Sequence, residues 1–209
     1  MFRLLIVCTH LHWLEMLSWI CDNGFKIFSR QGIMVVCYVA QSLDGFIADE
    51  DGGLDWLPTP KPGNDYEYHS FYQSVDAVLL GRKTYEQSLT FDVWPHADKP
   101  VRVFTHKLST NVDKLPPNVS WVTQRPKDVV SDLYSKDCKR LWLVGGSELI
   151  ASFRQDNLID EYIITTIPVL LGNGIPLFQE TLGKREFLCC TRSKRFADGV
   201  VQSSFMRVD

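Results

Sequence analysis

From Met34 onward the chain alternates between strand-like and helix-like spacing of apolar residues. Residues 35–42 predict a strand. Residues 65–75 predict a helix, because Tyr68, Phe71, Tyr72 and Val75 recur at helical spacing. A short apolar strand over 77–80 ends at Gly81, and 82–89 continue as a helix. Strands follow at 101–105 and, after the Pro116-Pro117 turn, at 119–123. A helix at 127–134 precedes an apolar strand at 141–144 that ends at Gly145-Gly146, with another helix over 148–154. The β-branched run 161–171 reads as one long strand with a bulge or edge at Pro168. Strands at 186–195 and 200–208 are joined by a hairpin turn at Ala197-Asp198-Gly199. Eight strands and about four helices in this order predict an α/β fold with a mostly parallel sheet and a C-terminal antiparallel hairpin.

The first 33 residues do not share this patterning. His10, His12 and Glu15 interrupt an apolar stretch that a signal peptide would keep clean, and no small-residue cleavage site follows. Met34 directly precedes the first patterned strand. The expectation is an extension over 1–33, upstream of a natural start at Met34, followed by one domain over 34–209. A mitochondrial presequence is the rival, but it would carry more arginine than Arg3 and Arg30. Cys8, His10 and His12 alternate along one potential strand face; no fourth ligand accompanies them, so no metal site is expected.

Composition narrows the function classes. At 209 residues, 45% hydrophobic and 22% charged, the chain suits one soluble domain. Its net charge of −3 argues against nucleic acid or an anionic membrane as partner, since both attract basic patches. No apolar stretch is long enough to span a bilayer. The six cysteines include no Cys-x-x-Cys pair and read as reduced thiols of a cytoplasmic protein.

Three segments carry candidate chemistry. "YVAQSLDGFIADEDGGLDWL", residues 38–57, holds more large apolar residues than a surface turn needs. Gly81 and Gly145-Gly146 each stand at the carboxyl end of a strand and the start of a helix. Open α/β sheets bind ligands at that edge, where glycine admits a close backbone approach and helix N–H groups attract phosphates. Arg82, Lys83, Thr84 and Ser147 add charge and hydroxyls. Neither turn is the mononucleotide phosphate loop or the three-glycine dinucleotide fingerprint. Two such turns in one sheet point to one shared phosphate-bearing ligand.

Taken together, "LLGRKTYEQ" and "VGGSEL" resemble the dihydrofolate reductase fold family. "SLDGFIA" and "PVLLGNGIPLF" resemble more closely the reductase domain of the bacterial riboflavin-biosynthesis deaminase–reductase, in particular its small stand-alone relatives. The resemblance implies NADPH as cofactor. It implies that Gly81, Arg82, Lys83 and Thr84 hold phosphates, that Thr105, His106 and Lys107 read the adenosine 2′-phosphate, and that Gly145, Gly146, Ser147, Glu148 and Leu149 lie along the pyrophosphate. Ala40 and Ile47 would flank the nicotinamide. The loop 43–57 would close over nicotinamide and substrate, excluding water during hydride transfer, with Asp44 and Trp56 on the substrate side. Family spacing makes Asp65 the carboxylate that anchors and helps protonate the substrate; the residues alone equally allow a helix N-cap.

The implied activity is hydride transfer to a pteridine or pyrimidine-like small molecule, as in dihydrofolate reductases or 5-amino-6-(5-phosphoribosylamino)uracil reductases. A homodimer is implied as well. The chain departs from the riboflavin reductases in having "TFDVWPHADKP" where they carry an Asp-Pro and arginine segment that grips a ribosyl phosphate, and it has no deaminase zinc motif. The alternatives are a dimeric nucleotide-binding protein without turnover, and a flavin-type or quinone reductase.

Overall fold

The computed structural model describes residues 32–59, 64–106, 116–179 and 185–208. The expectations for Lys107 and for residues 1–31, including Cys8, His10 and His12, lie outside these segments. The strands are β1 (Met34–Ser42), β2 (Phe46–Ala48), β3 (Ala77–Gly81), β4 (Val101–Phe104), β5 (Val119–Val122), β6 (Arg140–Gly145), β7 (Glu161–Ile167), β8 (Ile175–Pro176), β9 (Leu188–Arg195) and β10 (Val201–Arg207). The helices are α1 (Tyr68–Gln73), α2 (Arg82–Ser88), α3 (Pro126–Ser135) and α4 (Ser147–Gln155). Eight strands form one sheet in the order β5-β4-β3-β6-β1-β7-β10-β9, and β2 pairs with β8 in a second, two-stranded sheet. β5 to β7 in that order are parallel; β10 runs antiparallel to both β7 and β9.

Alternation along β1 builds the two cores, because successive side chains point to opposite faces. Val35 and Cys37 pack with Val129, Val130 and Leu133 of α3 and with Leu149, Ile150 and Phe153 of α4. Val36 and Tyr38 face the other way, toward Phe71 of α1 and Tyr85 of α2. Leu79, Leu80, Leu141 and Leu143 are fully buried, and each contributes roughly 1.5–3 kcal/mol by leaving water. Pro126 opens α3 with Asp128 in its first turn, both favourable at a helix N-terminus.

Two elements differ from the sequence expectation. The helix expected over 65–75 begins only at Tyr68, because Tyr66 and Glu67 take left-handed conformations, with φ of 53° and 66°. The strand expected over 161–171 ends at Ile167, where Pro168 supplies no N–H for the ladder. β7 also lies inside the sheet, between β1 and β10, so β9 is the exposed edge on that side. The chain beyond Pro168 folds back instead, and β8 meets β2. Gly174 is required at that crossing, since a Cβ there would run into the Ala48 carbonyl oxygen. Among the described residues no helix is long and apolar enough to cross a membrane.

Candidate functional site

The carboxyl ends of β1, β3, β4 and β6 lie side by side along one edge of the sheet. Gly81 is the residue before α2, and Gly146 the residue before α4. Because β3 and β6 are neighbours, the two glycine turns touch. A Cβ on Gly81 would sit 3.3 Å from the Gly146 nitrogen and 3.4 Å from the Gly145 oxygen. A Cβ on Gly146 would sit 3.4 Å from Thr84 Oγ1. The Gly145-Gly146 peptide is cis, and Gly145 has φ of 135°. The result is a notch walled largely by backbone at the starts of two helices, whose first N–H groups have no partner within the helix.

Around this notch the expected ligands fall into distinct roles. Arg82 pairs with Glu86 at 2.7 Å, with both side chains half exposed, so the pair is weak and the guanidinium is free to turn to a ligand. Lys83 is exposed and Thr84 borders Gly146. Ser147 is buried and accepts a hydrogen bond from Gln179 Nε2 at 3.1 Å. Glu148 is exposed at the start of α4. Leu149 points into the α3–α4 core, and its N–H donates to the Gly146 carbonyl, so its place is packing. Thr105 and His106 extend β4 at the same edge, with Thr105 N donating to Val122 O. Ala40 lies on β1 two residues beyond Tyr38, on the α1 side. Ile47 packs beside Val39 against the α3–α4 core.

The loop over this edge is clamped at its base. Ser42 Oγ donates to Asp44 Oδ1 at 2.6 Å and accepts from Phe46 N at 2.9 Å. The Asp44 carboxylate also accepts from Leu171 N at 3.2 Å and Gly172 N at 2.8 Å. These donors, the Ser42 hydroxyl first, hold its pKa below the usual carboxylate range. Asp44 therefore joins the loop at 43–48 to the one at 168–176 and has little left for a substrate. Leu43 N to Val169 O (2.8 Å) and Leu177 N to Gly45 O (2.9 Å) reinforce the join. Farther out, Asp49 Oδ1 closes the tip by accepting from Asp51 N and Gly53 N, and Gln87 Nε2 of α2 donates to Gly52 O. The buried Trp56 indole N–H finds no acceptor among the described residues. Phe46, Ile47 and Ala48 of this loop form β2, whereas Leu43 is exposed.

Asp65 is committed to the helix start. Its carboxylate accepts from Glu67 N at 3.0 Å and His69 N at 2.9 Å. A network that sequence reasoning missed fixes the same turn: Tyr38 Oη donates to the Tyr66 carbonyl at 3.1 Å, and Gln202 Nε2 donates to it at 2.9 Å and to Thr165 Oγ1 at 3.0 Å. Tyr66 Oη donates to Asp198 in the β9–β10 turn at 2.6 Å. Glu67 accepts from Arg192 and Lys194, and the Arg192 guanidinium leads in pulling its pKa down to about 2. Arg125 was missed too. It follows β5, whose Val122 is paired with Phe104, so it stands at the same edge as Thr105 and His106. The rule that selected those residues, polar groups just past a strand, would have found it. Among the described residues no cluster of His, Cys, Asp or Glu could hold a metal ion.

Comparison with known proteins bears on this geometry. The sequence profile of the RibD C-terminal domain matches residues 33–202. YwjB of Bacillus subtilis (strain 168), an uncharacterized protein, is 40% identical over 166 residues, which cover 79% of this chain and 93% of that one. Among solved structures, a Shewanella sp. PV-4 protein described as a riboflavin biosynthesis protein is 34% identical with a TM-score of 0.77, covering 84% of this chain and 99% of that chain. Dihydrofolate reductase from Enterococcus faecalis, complexed with NADP(H), has a TM-score of 0.55 at 18% identity, covering 83% of this chain and 96% of its own. That likeness is one of fold: the sheet is dihydrofolate reductase-like, as the sequence resemblance implied.

Proposed function

Because the chain belongs to the RibD C-terminal domain family, which supports an oxidoreductase of the reductase type, we propose that it is an NADPH-dependent reductase acting on a pteridine or pyrimidine-like small molecule. The observation that carries this reading is the contact between the Gly81 and Gly145-Gly146 turns. Their close approach walls the notch largely with backbone and brings two helix starts to one place, which fits a pyrophosphate. Arg82, Lys83 and Thr84 border one side of it. Thr105 supplies a hydroxyl, His106 an imidazole and Arg125 a cation where the 2′-phosphate would be read, and Lys107 follows in sequence.

Within this reading NADPH supplies the hydride when bound. Ala40 offers a small surface for the nicotinamide, and the clamped loop at 43–48 keeps water away from it. Asp65 orients the substrate and relays a proton at its carboxylate, giving up a backbone hydrogen bond to do so. The substrate is small and heterocyclic. The same reading holds the protein to be a cytoplasmic homodimer, which light scattering of the purified chain checks.

Titration with NADPH, NADH and FMN in parallel, followed by tryptophan fluorescence, tests the cofactor. NADPH-selective binding that Arg125→Ala and Arg82→Ala both weaken supports the reading. Equal affinity for NADH sinks the 2′-phosphate assignment, and FMN binding alone turns the reading toward a flavin enzyme. A second reading is favoured by one observation: both Asp65 carboxylate oxygens are already engaged by backbone N–H groups. A nucleotide-binding protein without turnover would bind NADPH, oxidise it with no pteridine or aminopyrimidine, and be indifferent to loss of the Asp65 charge.

A further inference from the structure

Asp65 can serve a substrate only by letting go of a backbone N–H, and the turn that carries it must then stand without its cap. Tyr66 and Glu67 in that turn are both left-handed, with φ of 53° and 66°. Residues other than glycine rarely take that conformation, and two in succession need a hold from outside the segment.

Gln202 of β10 supplies the central part of that hold. It is only 5% exposed. Its Nε2 donates to the Tyr66 carbonyl at 2.9 Å and to Thr165 Oγ1 at 3.0 Å, with Tyr38 Oη 3.3 Å away. A carbonyl oxygen only accepts, so the amide nitrogen is the atom that must face it. Tyr38 Oη gives the same carbonyl a second donor at 3.1 Å. The Tyr66 ring is fixed by another route, edge-on to Phe196 with centroids 5.1 Å apart and its hydroxyl on Asp198. None of these contacts uses the Asp65 carboxylate.

Register makes the hold specific. Gln202 stands opposite Thr165 of β7, and Thr165 stands opposite Ala40 of β1. The three form one rung across the sheet, and Ala40 is the residue assigned above to the nicotinamide. We infer that Gln202 is a positioning residue: through the Tyr66 carbonyl it fixes Asp65 relative to the Ala40 rung, and it keeps the turn in place when the carboxylate leaves its cap. The role of the carboxylate rests on the reductase reading, whereas the hold on the turn does not.

The ¹⁵N-labelled full chain is titrated with acid and followed by NMR at the Glu67 and His69 amides, which donate to the Asp65 carboxylate. The shared response that Asp65→Asn removes belongs to that carboxylate. Gln202→Met keeps the side-chain length but loses the donor, and should abolish the response; Tyr38→Phe keeps the ring on Phe71 and should reduce it. Amide exchange at Glu67 and His69 should rise about tenfold in Gln202→Met while Val36 and Leu143 in the sheet stay protected. In Asp65→Ala, Tyr66 and Glu67 should remain left-handed, as read from their HN–Hα couplings. A residue that merely fills space would lower the melting temperature and leave the carboxylate response intact. An unchanged response in both Gln202→Met and Tyr38→Phe, or a turn that Asp65→Ala releases, would overturn the inference. NADPH titration of the wild type judges the reductase reading separately: absence of binding there removes the role of the carboxylate, and the NMR result alone decides the hold of Gln202.

Discussion

His96 gives the fold a specific acid weakness. The residue is 4% exposed and lies among the rings of Tyr72, Trp94 and Trp142, with centroids 5.3–5.9 Å away. Its Nδ1 has no hydrogen-bond partner. Burial lowers its pKa from the ordinary 6.5 to about 4, and Asp98 opposes that only in part. Below pH 6.5 the unfolded chain takes up a proton at this position that the folded chain refuses until about pH 4. Stability is therefore unaffected above pH 6.5, falls as the pH drops below it, and levels off near pH 4, for a total on the order of 3 kcal/mol. His96→Phe removes the proton site while keeping a ring in the cage. The His96 carbonyl contact with Asn118 belongs to the backbone and persists. Urea unfolding of both proteins from about pH 7.5 to pH 4.5 isolates the effect, because titrating groups not coupled to His96 cancel in the difference and Asp98, whose pKa is lowered, stays ionised over that range. By pH 5 the wild type should have lost about 2 kcal/mol relative to the variant, compared with their difference at neutral pH. A difference that stays constant with pH would refute the reasoning.

Three further outcomes are expected. Gly81→Ala sets a Cβ 3.3 Å from backbone at Gly146; it should weaken NADPH about tenfold by displacing the notch while shifting the melting temperature only a few degrees, as read by fluorescence titration and thermal melts. Asp65→Ala should cost about 1 kcal/mol in chemical denaturation through the lost helix cap; Asp65→Asn should keep most of that stability and NADPH affinity yet lower turnover by about 100-fold, and full turnover would reassign Asp65 to capping alone. Asp44→Ala should speed hydrogen exchange at the Leu171 and Gly172 amides about tenfold, whereas unchanged protection would mean that the two loops are held without it.

Hydrophobic spacing carried most of the fold because the strands of the parallel sheet are buried on both faces and read as apolar runs. It failed where local chemistry overrides spacing. Tyr66 and Glu67 fit the apolar and polar pattern of α1 but sit at positive φ, held by hydrogen bonds from Tyr38 and Gln202, residues 28 and 136 positions away from Tyr66. No window of sequence contains both partners. The β2–β8 pair was hidden for the same reason: "FIA" and "IP" are too short to register until Gly174 brings them together. The glycine turns were legible as separate signals. Their contact was not, since it depends on β3 and β6 being neighbours in the sheet. Asp44 looked chemically available in sequence, and only the fold shows that its acceptors are used.

The position of β1 has a consequence for how the chain is made. Among the described residues it is the first strand to be synthesised, yet it pairs with β6 and β7, and its contacts with Arg140 and Asp160 span 106 and 125 residues. At ribosomal rates of about 5–20 residues per second, both of its edges wait roughly 6–25 s for a partner. Val35, Val36 and Cys37 are completely buried in the finished sheet and are exposed throughout that interval. A strand paired on both edges in the native sheet is thus one that must be kept from aggregating while its partners are made.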